Sequence, residues 1–312
     1  MTTVPPAQGP AAPGPATGPG ARRASPARRR ARSLARYLGA LPFFAYVALG
    51  LLVPLIAVAI GAFSDASTGT FTMANVDDAL QGAYLKGFGN TLILSVVSAV
   101  VDGVFGVLIA YAIFTARRAG VLRQIVITAS GVFANFGGVP LAFLFITTLG
   151  STGLETRWLT DLGFNPYSHG FSLYNLTGIE IVYGYFEIPL MVLVTLPALE
   201  GLRPAWREAT ENLGGRTWAY WRYVGGPVLL PSVLGSALLL FGFALSAYAT
   251  ANALTSGTVA ITSLQIGQVM SGNVIAGSVN VGKALGLGLV VIIAVAMTLY
   301  LLLQRRAAKW LR

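Results

Sequence analysis

The sequence has no cysteine and a single histidine, His169. Disulfides, thiolate metal sites and cysteine nucleophiles are therefore excluded, and so is any metal site built from several imidazoles. Charge is also scarce. Only 10% of residues are Asp, Glu, Lys or Arg, where a soluble domain carries about a quarter. A Gly-rich loop ending in Lys-Ser/Thr, the usual cradle for nucleotide phosphates, is missing as well. An intramembrane serine or zinc protease would need a positioned base or clustered imidazoles. One histidine in a loop supplies neither.

What the chain does have is apolar surface. Hydrophobic residues make up 55% of its 312 residues, and the mean hydropathy is +0.70. So little charge cannot cover so much apolar surface in water, and the solvent for most of the chain must be lipid. Six apolar runs approach the ~20 residues that a span requires. They lie at about 38–62, 90–114, 122–149, 179–199, 229–254 and 284–303. The third holds Gly137, Gly138 and Pro140, the fourth Pro189 and Pro197, and the fifth begins near Pro227 and Pro231. Such residues bend or break a membrane helix only where neighbouring protein satisfies the freed backbone. This punctuation suits a transport path better than a rigid anchor.

Residues 1–33 read as a disordered tail. Pro and Gly fill ten of the first twenty positions, and an arginine cluster follows at Arg22, Arg23, Arg28, Arg29, Arg30 and Arg32. The basic region is too long for an ordinary secretory signal. Arginines beside a span anchor to anionic headgroups, so the net charge of +10 does not imply nucleic acid. With six spans, the tail, the 115–121 turn, the 200–228 loop and the C-terminus share one side. That side holds 18 of the 21 Lys and Arg residues, leaving Lys86, Arg157 and Lys283 opposite. Basic loops stay in the cytoplasm, so both termini and the long loop face inward. The other loops, about 63–89, 150–178 and 255–283, face outward. Asn175-Leu176-Thr177 in one of them fits a glycosylation acceptor pattern, to which no weight attaches here.

A few polar residues fall inside the spans: Asp102 in the second, Asn135 in the third, Glu180 and Glu187 in the fourth, Asn252 in the fifth. Charges in lipid face protein or water. Glu180 lies towards the outer end. Glu187 has Tyr183 and Tyr185 nearby, so Asp102, Asn135, Glu187, Tyr183 and Tyr185 are candidates for lining a substrate path. The other reading of the carboxyls is hydrogen-bonded helix packing. Gly103, Gly106, Gly286 and Gly288 read as sites of close helix approach.

The 200–228 loop is more than a connector. Pro204 can open a helix, since its missing N–H is an orphan in the first turn. Gly214-Gly215 can close that helix through a left-handed cap. A second short helix over about 216–223 carries Trp218, Tyr220 and Trp221 between Arg216 and Arg222. Aromatic and Arg residues anchor protein interfaces, but the same composition fits a helix pair lying at the headgroups.

In this loop Glu208, Ala209, Gly214, Val224 and Pro227 fall at the spacing of the EAA motif of permease subunits in binding-protein-dependent ABC importers. The chain resembles that family over about 90–303. Thr210 stands where the motif has its second Ala, and Gly226 where it has Leu. Pro231, Gly235 and Phe241 resemble the family's next helix, and an acidic residue frequent in relatives near 247 is Ala247 here. Phe186-Glu-Ile-Pro189-Leu-Met and Ala247-Tyr-Ala-Thr250 resemble the branch serving polyamines, iron, thiamine and phosphonates.

The resemblance implies an all-α membrane protein of the type I ABC importer permease kind, with about six transmembrane helices over 34–312 and a cytoplasmic coupling-helix pair. It implies a pore-forming subunit of the bacterial cytoplasmic membrane that performs no chemistry and binds no cofactor itself. ATP and Mg would sit on two cytoplasmic ATPase subunits. The other partners would be a second permease, identical or homologous, and an external solute-binding protein. Glu208, Ala209, Gly214, Gly215 and Pro227 would couple the chain to the ATPase. An ion-gradient-driven secondary transporter is the alternative, but its inverted internal repeats are not evident.

Overall fold

The computed structural model describes residues 41–116, 120–272 and 279–309. The expected basic tail over 1–33 lies outside the described residues, as do Arg117, Arg118 and Arg312. The chain divides into two units, Met1–Leu55 and Ile56–Arg312. The described part of the first is helical and carries exposed apolar side chains such as Phe43, Phe44 and Leu49.

Among the described residues six helical stretches are long and apolar enough to cross a membrane: Leu41–Ala62, Gly82–Thr115, Gly138–Asp161, Leu176–Glu200, Thr217–Ser246 and Val279–Arg306. We number the helices α1 (Leu41–Ala62), α2 (Ala74–Ala79), α3 (Gly82–Thr115), α4 (Gly120–Asn135), α5 (Gly138–Leu149), α6 (Leu154–Asp161), α7 (Leu176–Glu200), α8 (Pro204–Asn212), α9 (Thr217–Ser246), α10 (Ala249–Thr255), α11 (Thr262–Met270) and α12 (Val279–Lys309). Among the described residues there is no strand beyond an isolated bridge between Ser64 and Phe71.

Within the second unit α3 packs against α7 and α9, α4 against α7, α5 against α10, and α12 against α9 and α11. In lipid this association comes from close packing rather than release of water, and glycines permit it. A Cβ on Gly106 would stand 2.4 Å from Met191 Cβ and 3.0 Å from Ile188 O, so α3 and α7 touch backbone to side chain there. Gly288 likewise meets the Phe88 ring, with a Cβ coming to 2.5 Å. Gly103 is different, since a Cβ there would find open space. Tyr300 of α12 lies over Gly235 and donates to Pro231 O at 3.3 Å, joining α12 to α9.

Three sequence expectations need correction. The expected third span over 122–149 is broken in two. α4 ends at Asn135, and Gly138, the first residue of α5, adopts a left-handed φ of +76°. The freed Gly138 N–H donates to Thr250 Oγ1 at 2.9 Å, so neighbouring protein satisfies it as a break at membrane depth requires. The second short helix expected over 216–223 does not stop there. It runs through a π-turn at Trp221–Gly225 into the fifth span. Gly226 N–H bonds to Trp221 O, five residues back, and this wider turn carries the helix past Pro227. The expected fifth span over 229–254 ends at Ser246, and α10 follows after an interruption at Ala247-Tyr248.

The connecting segments are structured as well. α2, α6 and α11 occupy the segments read as outer loops. Asn175, the head of the acceptor-like triplet, accepts from Gly178 N–H at 2.9 Å and caps α7. Asp65 gathers the N–H groups and hydroxyls of Ser67 and Thr68, which hold its carboxyl well below the usual carboxylate range.

Candidate functional site

The segment expected to couple the chain to an ATPase runs from the end of α7 to the start of α9. Pro204 fills the first turn of α8. The helix closes in a Schellman arrangement: Gly214 N–H donates to Glu211 O and Gly215 N–H to Thr210 O, each at 2.9 Å. Gly214 carries the left-handed φ of +76° that this closure needs. Gly215 is required for a second reason, since a Cβ there would stand 2.7 Å from Thr210 Cγ2.

One side of the segment is fastened to the membrane helices. Trp206 packs against the buried cluster that holds Ile113, Leu199, Leu202 and Leu229. Trp221 meets Tyr111 edge to face, with ring centroids 5.4 Å apart. Arg123 of α4 pairs with Glu200, the last residue of α7, in an exposed ion pair that fixes position more than it stabilises. The other side is open. Leu213 is 89% and Trp218 73% exposed, and Glu208 and Ala209 are exposed beside them. Arg207 is held by Glu211 at 3.0 Å, whereas Glu208 has no ion-pair partner among the described residues. Glu208, Ala209, Gly214 and Gly215 thus share one small outward segment. Pro227 does not join it, being half-buried in α9.

The intramembrane candidates separate into two groups. Asp102 and Glu187 meet between α3 and α7, 3% and 0% exposed. Ser98 stands between them and contacts Asp102 Oδ2 at 3.1 Å and Glu187 Oε2. Its hydroxyl has one proton to donate, so making both contacts requires a proton on one carboxyl. Glu180 shares this face, with both carboxylate oxygens covered and unbonded. Tyr183, fully buried, donates from its hydroxyl to Ala247 O at 3.2 Å. Tyr185 points elsewhere, into a ring cluster with Phe133, Phe136 and Phe145 at centroid distances of 5.2, 6.4 and 5.7 Å. Asn135, at the exposed end of α4, donates to Gly131 O of its own helix. Sequence reasoning missed Ser98, although its place one helical turn before Asp102 was a readable signal. Among the described residues no group of acidic or His side chains could hold a metal ion.

A solved bacterial alginate ABC transporter, in complex with a pentasaccharide-bound periplasmic protein, contains a chain that superposes on 89% of this one and 96% of its own length. The TM-score is 0.69 and the identity 20%. The chain has the fold of an ABC importer permease. Its sequence relatives are ABC permeases too. The sulfate transport system permease of Escherichia coli is 28% identical over 153 residues, 48% of this chain and 52% of that protein. The thiamine transport system permease of the same organism is 33% identical over 102 residues, 32% of this chain and 19% of that protein. The chain thus spans about half the length, or less, of these curated relatives. No family model matches it.

Proposed function

We propose that this permease is a pore-forming subunit of an ATP-driven importer in the bacterial cytoplasmic membrane, with both termini in the cytoplasm. A solute delivered by an external binding protein would cross by alternating access. The observation that carries the proposal is the coupling segment. α8 presents Glu208 and Ala209 outward beside its cap Leu213, and the Gly214-Gly215 turn joins it to α9, which carries exposed Trp218 in its first turn and continues into the membrane without interruption. A partner that moved α8 would move a span. An ion-gradient-driven transporter has no use for such a segment.

The chain lacks a phosphate-binding loop, so ATP and Mg would be held by two cytoplasmic ATPase subunits, with Glu208 meeting a cation there. A second permease, identical or homologous, would complete the pore. Sequence likeness to the thiamine permease, together with the stretches around Glu187 and Tyr248, favours the branch serving polyamines, iron, thiamine and phosphonates.

The test is to purify the tagged chain from its native membrane in mild detergent, identify what accompanies it and assay ATP hydrolysis. An ATPase subunit should co-purify, and Glu208→Lys should lose it while the chain still inserts. A chain that transports alone after reconstitution, or a stable complex without an ATPase, would overturn the reading.

A further inference from the structure

Asp102 and Glu187 are enclosed between α3 and α7 and reach no surface of this chain. Exposed hydroxyls such as Thr147 and Thr298 donate to carbonyls of their own helices, whereas a group of larger polar side chains reaches the surface at two helix interruptions. One separates α4 from α5 at residues 136–137, the other separates α9 from α10 at residues 247–248. The Gly138 N–H bond to Thr250 pins one interruption to the other.

Their depth follows from α7. Tyr185 packs on Phe133 and Phe136 just before the first interruption, and Tyr183 donates to Ala247 O in the second. These tyrosines lie about 10–15 Å inside the outer end of α7 at 1.5 Å per residue. Asn135, Tyr248 and Asn252 are exposed at the interruptions. The Asn252 side chain has no hydrogen-bond partner among the described residues. Irregular backbone at membrane depth survives only where protein buries it or where it lines water, and Asn135, Phe136 and Tyr248 are not buried. Facing hydrocarbon, an amide left without a hydrogen-bond partner would be costly.

We propose that the paired interruptions line the aqueous passage of the solute. Asn135, Tyr248 and Asn252 supply its polar lining, and Phe133, Phe136 and Tyr185 its aromatic wall. The lining has amides, a phenol and ring faces but no fixed charge. It suits a polar solute held by hydrogen bonds and ring contacts rather than by an ion pair. The proposal rests on the permease reading above, and its test separates the two.

The chain has no cysteine of its own, so N135C, Y248C and N252C each carry a single thiol. Native membrane vesicles holding each full-length variant are treated with cationic and with anionic methanethiosulfonates of similar size. Rates are compared with V295C and L299C on the apolar surface of α12, and the total thiol is counted after unfolding in detergent. The passage thiols should react at least about tenfold faster than those on α12, because the thiolate is the reacting species and apolar surroundings suppress it. Cationic and anionic reagents should react within about threefold of each other, whereas a charged cleft changes local concentration by about tenfold or more. Rates equal to those on α12, with full labelling after unfolding, would overturn the passage and mean that these side chains pack against protein such as a second permease. A tenfold preference for one charge would overturn the uncharged lining. Trapping with ATP and vanadate should change the rates. Fast labelling indifferent to nucleotide would support the passage and overturn the ATP-driven reading instead.

Discussion

At Gly214 the chain turns with φ +76°, where an L side chain costs about 1–2 kcal/mol. The open space around it means that Gly214→Ala meets no clash and pays only this conformational cost. The variant should insert normally and lose uptake through a displaced α8; equal uptake at equal membrane level would refute the role assigned to the turn. Ser98 is the matching case inside the membrane. Ser98→Ala leaves Asp102 and Glu187 without the hydroxyl they share, and an orphaned buried group costs about 1–3 kcal/mol. We expect a lower thermal unfolding midpoint in detergent. Glu187→Gln retains an acceptor and adds donors, so its midpoint should stay near that of the parent. The reverse order would show that Ser98 does not hold the pair together.

Helix contacts make a second paired comparison. Gly106→Ala drives a methyl into Met191 and the Ile188 carbonyl, whereas Gly103→Ala, one turn earlier on α3, meets nothing. The first should destabilise by about 1–3 kcal/mol through overpacking, and the second should be neutral or slightly stabilising because alanine favours helix. Thermal unfolding of the two variants decides this. The sequence named both glycines as packing sites and could not rank them, because a partner 85 residues away in the chain, Met191, makes the difference. The same limit applied to the helix interruptions. Gly137, Gly138 and Pro140 announced a break, but the group that satisfies it, Thr250, is 112 residues distant. At Gly225-Gly226-Pro227 local signals misled, since a π-turn carries the helix through a stretch that reads as a stop.

For the whole molecule, apolar run length made the number of spans readable, since it depends on the bilayer rather than on tertiary contacts, and the bias of Lys and Arg predicts their direction. α8 and its Gly214-Gly215 closure were readable because cap and turn chemistry is local. The separation of Tyr183 from Tyr185 was not, because it depends on which neighbours each face of α7 meets. The orientation is open to test with an enzyme reporter that is active only outside the cytoplasm. Fused after Gly257 it should be active, and after Leu213 inactive. The opposite result would invert the topology and place the coupling segment out of reach of any cytoplasmic ATPase.

α9 is 30 residues long, a rod of about 45 Å at 1.5 Å per residue. Its π-turn at Trp221–Gly225 lies close to the end that joins α8, leaving a long arm beyond a short one. A sideways stroke of about 3 Å at Thr217 would tilt a rigid rod of that length by only about 4°. Driven from that end, the helix would work as a crank, with its throw set by where the wide turn sits. Moving that turn by one helical repeat would change the throw without altering a single residue that a partner touches.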